Sequence, residues 1–173
     1  WSDVPLDNYD AAINDDNATG LSPVATLLSP VTLTGVGGSA FDFGVVSGDA
    51  SIEFIVEGDP AFNNSAFLAV GNNSVSSLRY EVWNNTGELG FTQGGVADYQ
   101  FTPGAPSPKK PAHVVYVWDP ATATMVLYIN GKVAGTTTGV DAAFGLPTGA
   151  GWLGANPGGT EALLGTIYRV TVY

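Results

Sequence analysis

The stretch Arg79-Tyr-Glu-Val-Trp83-Asn84-Asn85-Thr86 gathers residue types that suit one kind of chemistry. A polyhydroxylated ring offers C–H faces to aromatic rings, and hydroxyls to amides, carboxylates and guanidinium groups. In an extended chain, Arg79, Glu81 and Trp83 share one face, while Tyr80 and Val82 point to the other. Asn84 and Asn85 then form the following turn. Tyr99, and Trp152 on an expected loop between Gly151 and Gly154, are candidates to extend an aromatic platform. Each aromatic has a competing role, because Trp and Tyr often fill a core with one polar tip outward. Trp83 is open to either role, and Trp118 reads as core.

Other chemistries fit less well. Glu53 and Glu57 share a strand face, but four residues of strand place them ~13 Å apart. A glycoside hydrolase needs its carboxyl pair about 5 to 9.5 Å apart. His113 is the single histidine, and there are no cysteines, so thiolate and His-cluster metal sites are excluded. Gly94-Gly95 and Gly158-Gly159 precede no helix, so neither is a phosphate loop. Asp15-Asp-Asn17-Ala-Thr19-Gly20 has the alternating oxygens of a calcium loop. Thr26 stands where the bidentate Glu belongs, so the stretch reads as a solvated turn. A calcium ion remains an expectation for loop aspartates that converge in the fold. Asp42, Asp59, Asp98 and Asp141 are the candidates, with Asp119 a further one.

These residues must be positioned by strands. The chain has 173 residues with 23 Gly and 11 Pro, too many for long helices. Helical periodicity is confined to a short turn near Asn8–Ile13. Apolar or alternating runs bounded by turn residues predict eleven strands. They span Val24–Leu33, Ala40–Val46, Ser51–Glu57, Ala66–Val70, Leu78–Trp83, Leu89–Thr92, Asp98–Phe101, His113–Trp118, Thr124–Ile129, Val133–Thr136 and Leu164–Tyr173. That number of short strands indicates an all-β antiparallel sandwich of one domain, residues 1–173. In Ser51–Glu57, Ile52, Phe54 and Val56 alternate with Glu53, Ile55 and Glu57, which puts both carboxylates on the outer face. Asn130-Gly131 predicts a type I′ hairpin, since both residues must take positive φ. Together with the Asp119-Pro120 turn it predicts a three-strand meander. Residues 103–111 hold four prolines and form a surface crossover between sheets.

Several segments carry a family resemblance. His113-Val-Val-Tyr-Val-Trp-Asp119 followed by Met125-Val-Leu-Tyr-Ile-Asn-Gly131-Lys-Val-Ala-Gly135 resembles the laminin G-like pattern of the concanavalin A-like lectin/glucanase jelly rolls. Ser39–Gly44 with Ser51–Val56, and Gly165–Tyr173, resemble that family's opening and closing strands in place and order. The resemblance implies a jelly roll and a non-catalytic, extracellular, lectin-like module within a larger exported protein. A structural or adhesion module is the alternative, and a glucanase-like hydrolase a further one. In glucanases of this class the catalytic carboxylates lie on one strand as Glu-x-Asp-x-Glu; here Ile55 occupies the middle position. The closing strand of the family usually carries Asp-Glu where this chain has Tyr168-Arg169, which removes a calcium ligand the family would imply.

Charge narrows the partners. The net charge is -11, and the first 78 residues hold ten acids and no Lys or Arg. Nucleic acid and an anionic membrane both need a basic footprint, and neither is expected. No apolar run approaches the ~20 residues of a spanning helix. The missing initiator Met suggests a processed product or an excised module. The partner expected is a glycan or polysaccharide, and the place secreted.

Overall fold

Alternating apolar residues make the core of this chain, and the computed structural model shows where each face goes. The structure describes residues 25–26, 31–35, 37–42, 51–61, 64–70, 78–83, 86–141 and 150–173. The expected turn at Asn8–Ile13, the Asp15–Gly20 loop, and Asn84 and Asn85 lie outside the described residues. The strands are β1 (Ala25–Thr26), β2 (Val31–Thr34), β3 (Ser39–Asp42), β4 (Ser51–Gly58), β5 (Ser65–Val70), β6 (Leu78–Val82) and β7 (Leu89–Gln93). They continue as β8 (Ala97–Gln100), β9 (Ala112–Asp119), β10 (Thr124–Ile129), β11 (Lys132–Thr138), β12 (Ala150–Leu153) and β13 (Leu164–Val172). Among the described residues there is no helix.

Two antiparallel sheets form the sandwich. One runs β1-β13-β4-β9-β10-β11, with β2 also paired to β13; the other runs β3-β12-β5-β6-β7-β8. Ile52, Phe54 and Val56 of β4 face inward onto Phe67, Tyr80, Phe91 and Tyr116, all buried. Phe54 meets Tyr116 edge-on at 6.1 Å, and Tyr80 meets Tyr116 at 4.7 Å. Such tilted ring pairs add to simple area burial. Trp118 is part of this core, as its strand position predicts.

The expected turns are present. Asn130 and Gly131 take φ of 50° and 74°, the positive values of a type I′ hairpin, and β9, β10 and β11 lie side by side as a meander. Asp119 closes the preceding turn by accepting from Ala121 N at 2.9 Å and from Thr122 Oγ1 at 2.6 Å. The proline-rich segment crosses from β8 in one sheet to β9 in the other. It is pinned to both: Ala105 O accepts from Leu89 N at 2.7 Å, and Pro108 O accepts from Gly58 N at 2.7 Å.

Two local readings are corrected. Residues 150–153 form a strand rather than a loop, hydrogen-bonded on both sides to β3 and β5. Flanking glycines hide that strand in the sequence, and pairing from two neighbours supplies what its propensity lacks. Glu53 does lie on the face opposite Phe54, yet it is 3% exposed. Its strand is central, and side chains from β9 and β13 cover it.

Candidate functional site

The outer face of the six-stranded sheet carries the side chains that suit sugar binding. Cross-strand pairing sets them in a row. Asp98 on β8 pairs with Thr92 on β7, Thr92 with Arg79 on β6, Arg79 with Ala69 on β5, and Ala69 with Trp152 on β12. Paired residues point to the same side of a sheet. Leu78, Tyr80, Leu68 and Val70 take the core side, so Arg79, Ala69 and Trp152 are left outside. Trp152 and Arg79 stand two strands apart, about 10 Å. Ala69 forms the small floor between them.

The next row holds Ala66, Glu81, Gly90 and Gln100. Gly90 is also a floor residue. A Cβ there would lie 2.9 Å from Tyr99 O and 3.5 Å from the Trp83 ring. Trp83 therefore folds over the outer side of Gly90, half-buried, and takes the outward role that alternation allows.

Arg79 is the electrostatic centre. Its Nη2 lies 2.6 Å from Glu81 Oε2, and its Nη1 donates to Glu161 Oε2. Glu161 also accepts from Asn64 Nδ2 at 3.1 Å and from Asn156 Nδ2 at 2.5 Å. Two loops deliver these groups. Residues 154–163 fold back on themselves through Asn156 N to Thr160 O at 2.8 Å and Leu163 N to Gly154 O at 2.7 Å. Glu161 and Asn64 both hold left-handed backbone, with φ of 51° and 61°. Asn tolerates that region, but Glu rarely adopts it, and such positions concentrate at functional sites. Glu161, Asn64 and Asn156 escaped the sequence reading because loop residues carry no periodic signal. A Gly-rich loop ending in a lone acid was the one hint.

Glu81 is 1% exposed. Burial raises its carboxyl above the ordinary value, and the charge of Arg79 with the Thr92 hydrogen bond offsets this only in part. Thr92 Oγ1 lies 2.5 Å from Glu81 Oε1 and 2.7 Å from Asp98 Oδ1. One hydroxyl proton cannot serve two ionised carboxylates. The Glu81–Thr92–Asp98 chain is complete when one carboxyl brings a proton of its own.

The remaining expected residues lie elsewhere. Tyr99 does not extend the platform. It pairs with Phe91, stacks on that ring at 4.8 Å and packs against the core, and its hydroxyl accepts from Asp141 N at 3.0 Å. The register of β8 decides this, because Asp98 rather than Tyr99 takes the outward position. Asp59, Asp98 and Asp141 form no group of three that could hold a metal ion. Asp59 closes a turn after β4 by accepting from Ala61 N at 2.9 Å; Asp98 sits on β8, Asp141 follows β11, and Asp42 ends β3. Among the described residues, no three Asp, Glu or His side chains are grouped to hold a metal ion.

The opposite sheet has its own polar cluster. Glu53 Oε1 lies 2.8 Å from His113 Nε2, and Glu53 Oε2 accepts from Tyr173 OH at 3.1 Å. Burial pushes the Glu53 carboxyl up, but His113, Tyr173 and the Arg169 charge outweigh it and hold the group below its ordinary value. Glu57 accepts from Tyr168 OH at 3.1 Å. Each carboxylate is engaged by its own tyrosine, an arrangement for holding strands together. A cavity of about 500 Å³ lies beside Glu57, Asp59, Lys109 and Thr166, and among the described residues no aromatic ring lines it.

Comparisons with known proteins agree with this architecture. The family model described as the Concanavalin A-like lectin/glucanases superfamily matches residues 44–173. Among curated proteins no relative matches. The CBM40 domain of the Ruminococcus gnavus IT-sialidase, solved with alpha2,3 sialyllactose, is similar in structure with a TM-score of 0.65 and 17% identity, covering 88% of this chain and 92% of that one. Domain 4 of an extracellular arabinanase from Geobacillus stearothermophilus, solved with arabinotriose, has a TM-score of 0.66 and 18% identity, covering 83% of this chain and 69% of that one. The NanB sialidase of Streptococcus pneumoniae has a TM-score of 0.63 and 16% identity, covering 88% of this chain and 26% of that one. At such identities the likeness shows the fold.

Proposed function

This chain belongs to the concanavalin A-like lectin/glucanases superfamily, and on that premise we propose that it is a non-catalytic, extracellular carbohydrate-binding module of a larger exported protein. One observation carries the reading. Trp152, Arg79, Glu81 and Trp83 share the outer face of one sheet, with Glu161, Asn64 and Asn156 at its edge. That face combines ring surface with planar hydrogen-bonding groups over a floor of Ala66, Ala69 and Gly90. Ala66, Ala69 and Gly90 are themselves buried beneath the larger side chains of this face. The solved neighbours with sialyllactose and arabinotriose support the same class of ligand.

The non-catalytic part rests on the carboxylates. On the sugar-suited face, Glu81 and Glu161 are both tied to one guanidinium, and Glu81 is buried. On the other sheet, Glu53 and Glu57 are separated along one strand and bound to different tyrosines. Neither pair leaves an acid and a base flanking an open space. The reading needs no calcium.

A glycan array with the wild-type chain and Trp152→Ala tests it. Binding by the wild type that Trp152→Ala weakens at unchanged fold is the expected result. A blank array at millimolar glycan, or reducing-sugar release from a bound polysaccharide, overturns it.

A further inference from the structure

We propose that this face selects neutral glycans and rejects acidic ones. The inference rests on the carbohydrate-binding reading and names the ligand class for the same site. The fold leaves the choice open, since its solved neighbours include one with sialyllactose, which carries a carboxylate, and one with arabinotriose, which carries none.

The first argument is the supply of positive charge. The chain has five Lys and Arg residues in total, and all five lie among the described residues. Lys109 and Lys110 are in the crossover, Lys132 begins β11, and Arg169 is on β13 of the other sheet. Arg79 is therefore the sole basic side chain on this face.

The second argument is that Arg79 is already engaged. A guanidinium captures a ligand carboxylate best by presenting two parallel N–H groups. Here Nη2 faces Glu81 and Nη1 faces Glu161, so each terminal nitrogen meets a different protein carboxylate. A ligand carboxylate would have to share these nitrogens with two carboxylates already held there, or displace one of them. Displacing Glu81 would strand a charge that is 1% exposed, which is strongly unfavourable. Displacing Glu161 would also break its bonds from Asn64 and Asn156.

The third argument is sign. Glu81, Glu161 and Asp98 set three carboxyls against one guanidinium. The excess is negative whether or not Glu81 shares the proton that the Thr92 bridge requires. A sugar hydroxyl is indifferent to that sign, because it donates to a carboxylate as readily as it accepts from an N–H. A second carboxylate or a sulfate is repelled. The same row that offers acceptors to a neutral ring thus acts as a filter against an anionic one.

Matched ligands test this. The 173-residue chain is titrated by NMR or calorimetry with lactose and 3′-sialyllactose, with an oligogalacturonide and its methyl ester, and with arabinotriose. The expected result is that the neutral member of a bound pair binds about tenfold tighter or more at low salt, with the gap narrowing as salt screens the repulsion. Glu161→Gln and Asp98→Asn, each checked by thermal melting, should narrow the ratio between the neutral and acidic members severalfold, whatever each does to the absolute affinity. Equal or tighter binding of the acidic member by the wild type overturns the inference and leaves the carbohydrate reading standing. Absence of binding to every ligand, neutral and acidic, overturns the carbohydrate reading and this inference with it.

Discussion

Arg79 and Glu161 are 82 residues apart in the chain and meet through a direct guanidinium–carboxylate contact on the outer face of the six-stranded sheet. The contact joins β6 to the loop before β13. It also gathers Asn64 and Asn156 around the same carboxylate. Loop and sheet face are thereby one polar unit.

Removing the acceptor should loosen that unit. Glu161→Ala leaves Arg79, Asn64 and Asn156 without it, and should cost about 1–2 kcal/mol after discounting for its partial exposure. In thermal denaturation this corresponds to a Tm lower by roughly 3–7 °C. Glu161→Gln keeps an acceptor and should recover most of the loss. Identical melting of Glu161→Ala and wild type would show that the contact stabilises nothing.

A core tryptophan and a surface tryptophan should separate stability from binding. Trp118 is in the core, so Trp118→Ala should cost about 3–5 kcal/mol. Trp152 is half-buried on the outer face, and Trp152→Ala should cost about 1–2 kcal/mol while weakening glycan binding roughly fivefold or more. Denaturant unfolding and a glycan titration on each variant check both numbers.

Two buried carboxyls should give opposite pH slopes. Glu53 is held below its ordinary value of 4.5, so its stabilisation is present above that pH and is lost as pH falls through the folded-state value. The penalty of Glu53→Gln should therefore grow from pH 3 to pH 7. Glu81 is held above 4.5, so its contribution is present below that pH and is lost as pH rises through the folded-state value. The penalty of Glu81→Gln should shrink over the same range. Tm measured against pH for the three proteins decides it, and parallel curves for the two variants would refute the assignment.

Gly90 should be sensitive to a single methyl group. Its Cβ would come within 2.9 Å of Tyr99 O and 3.5 Å of the Trp83 ring. Gly90→Ala should cost about 1–3 kcal/mol by overpacking and shift Trp83, which its fluorescence spectrum would report. A variant with wild-type melting and emission would show that the floor has slack.

The sequence by itself determined the periodic part of this protein. Alternation in Ser51–Glu57 put Phe54 inward and Glu53 outward, and Asn130-Gly131 set the hairpin between β10 and β11. It also put Arg79, Glu81 and Trp83 on one face, because a strand's period of two is a local property of the backbone. Trp152 was singled out by type, but its strand between flanking glycines could not be seen. That strand exists through hydrogen bonds to β3 and β5, which are distant in sequence. Tyr99 and Asp98 were one residue apart, and only the register of β8 against β7 decided which faced outward. Glu161, Asn64 and Asn156 belong to the site because two loops close on Arg79. Loop convergence depends on long-range packing, and no local spacing encodes it.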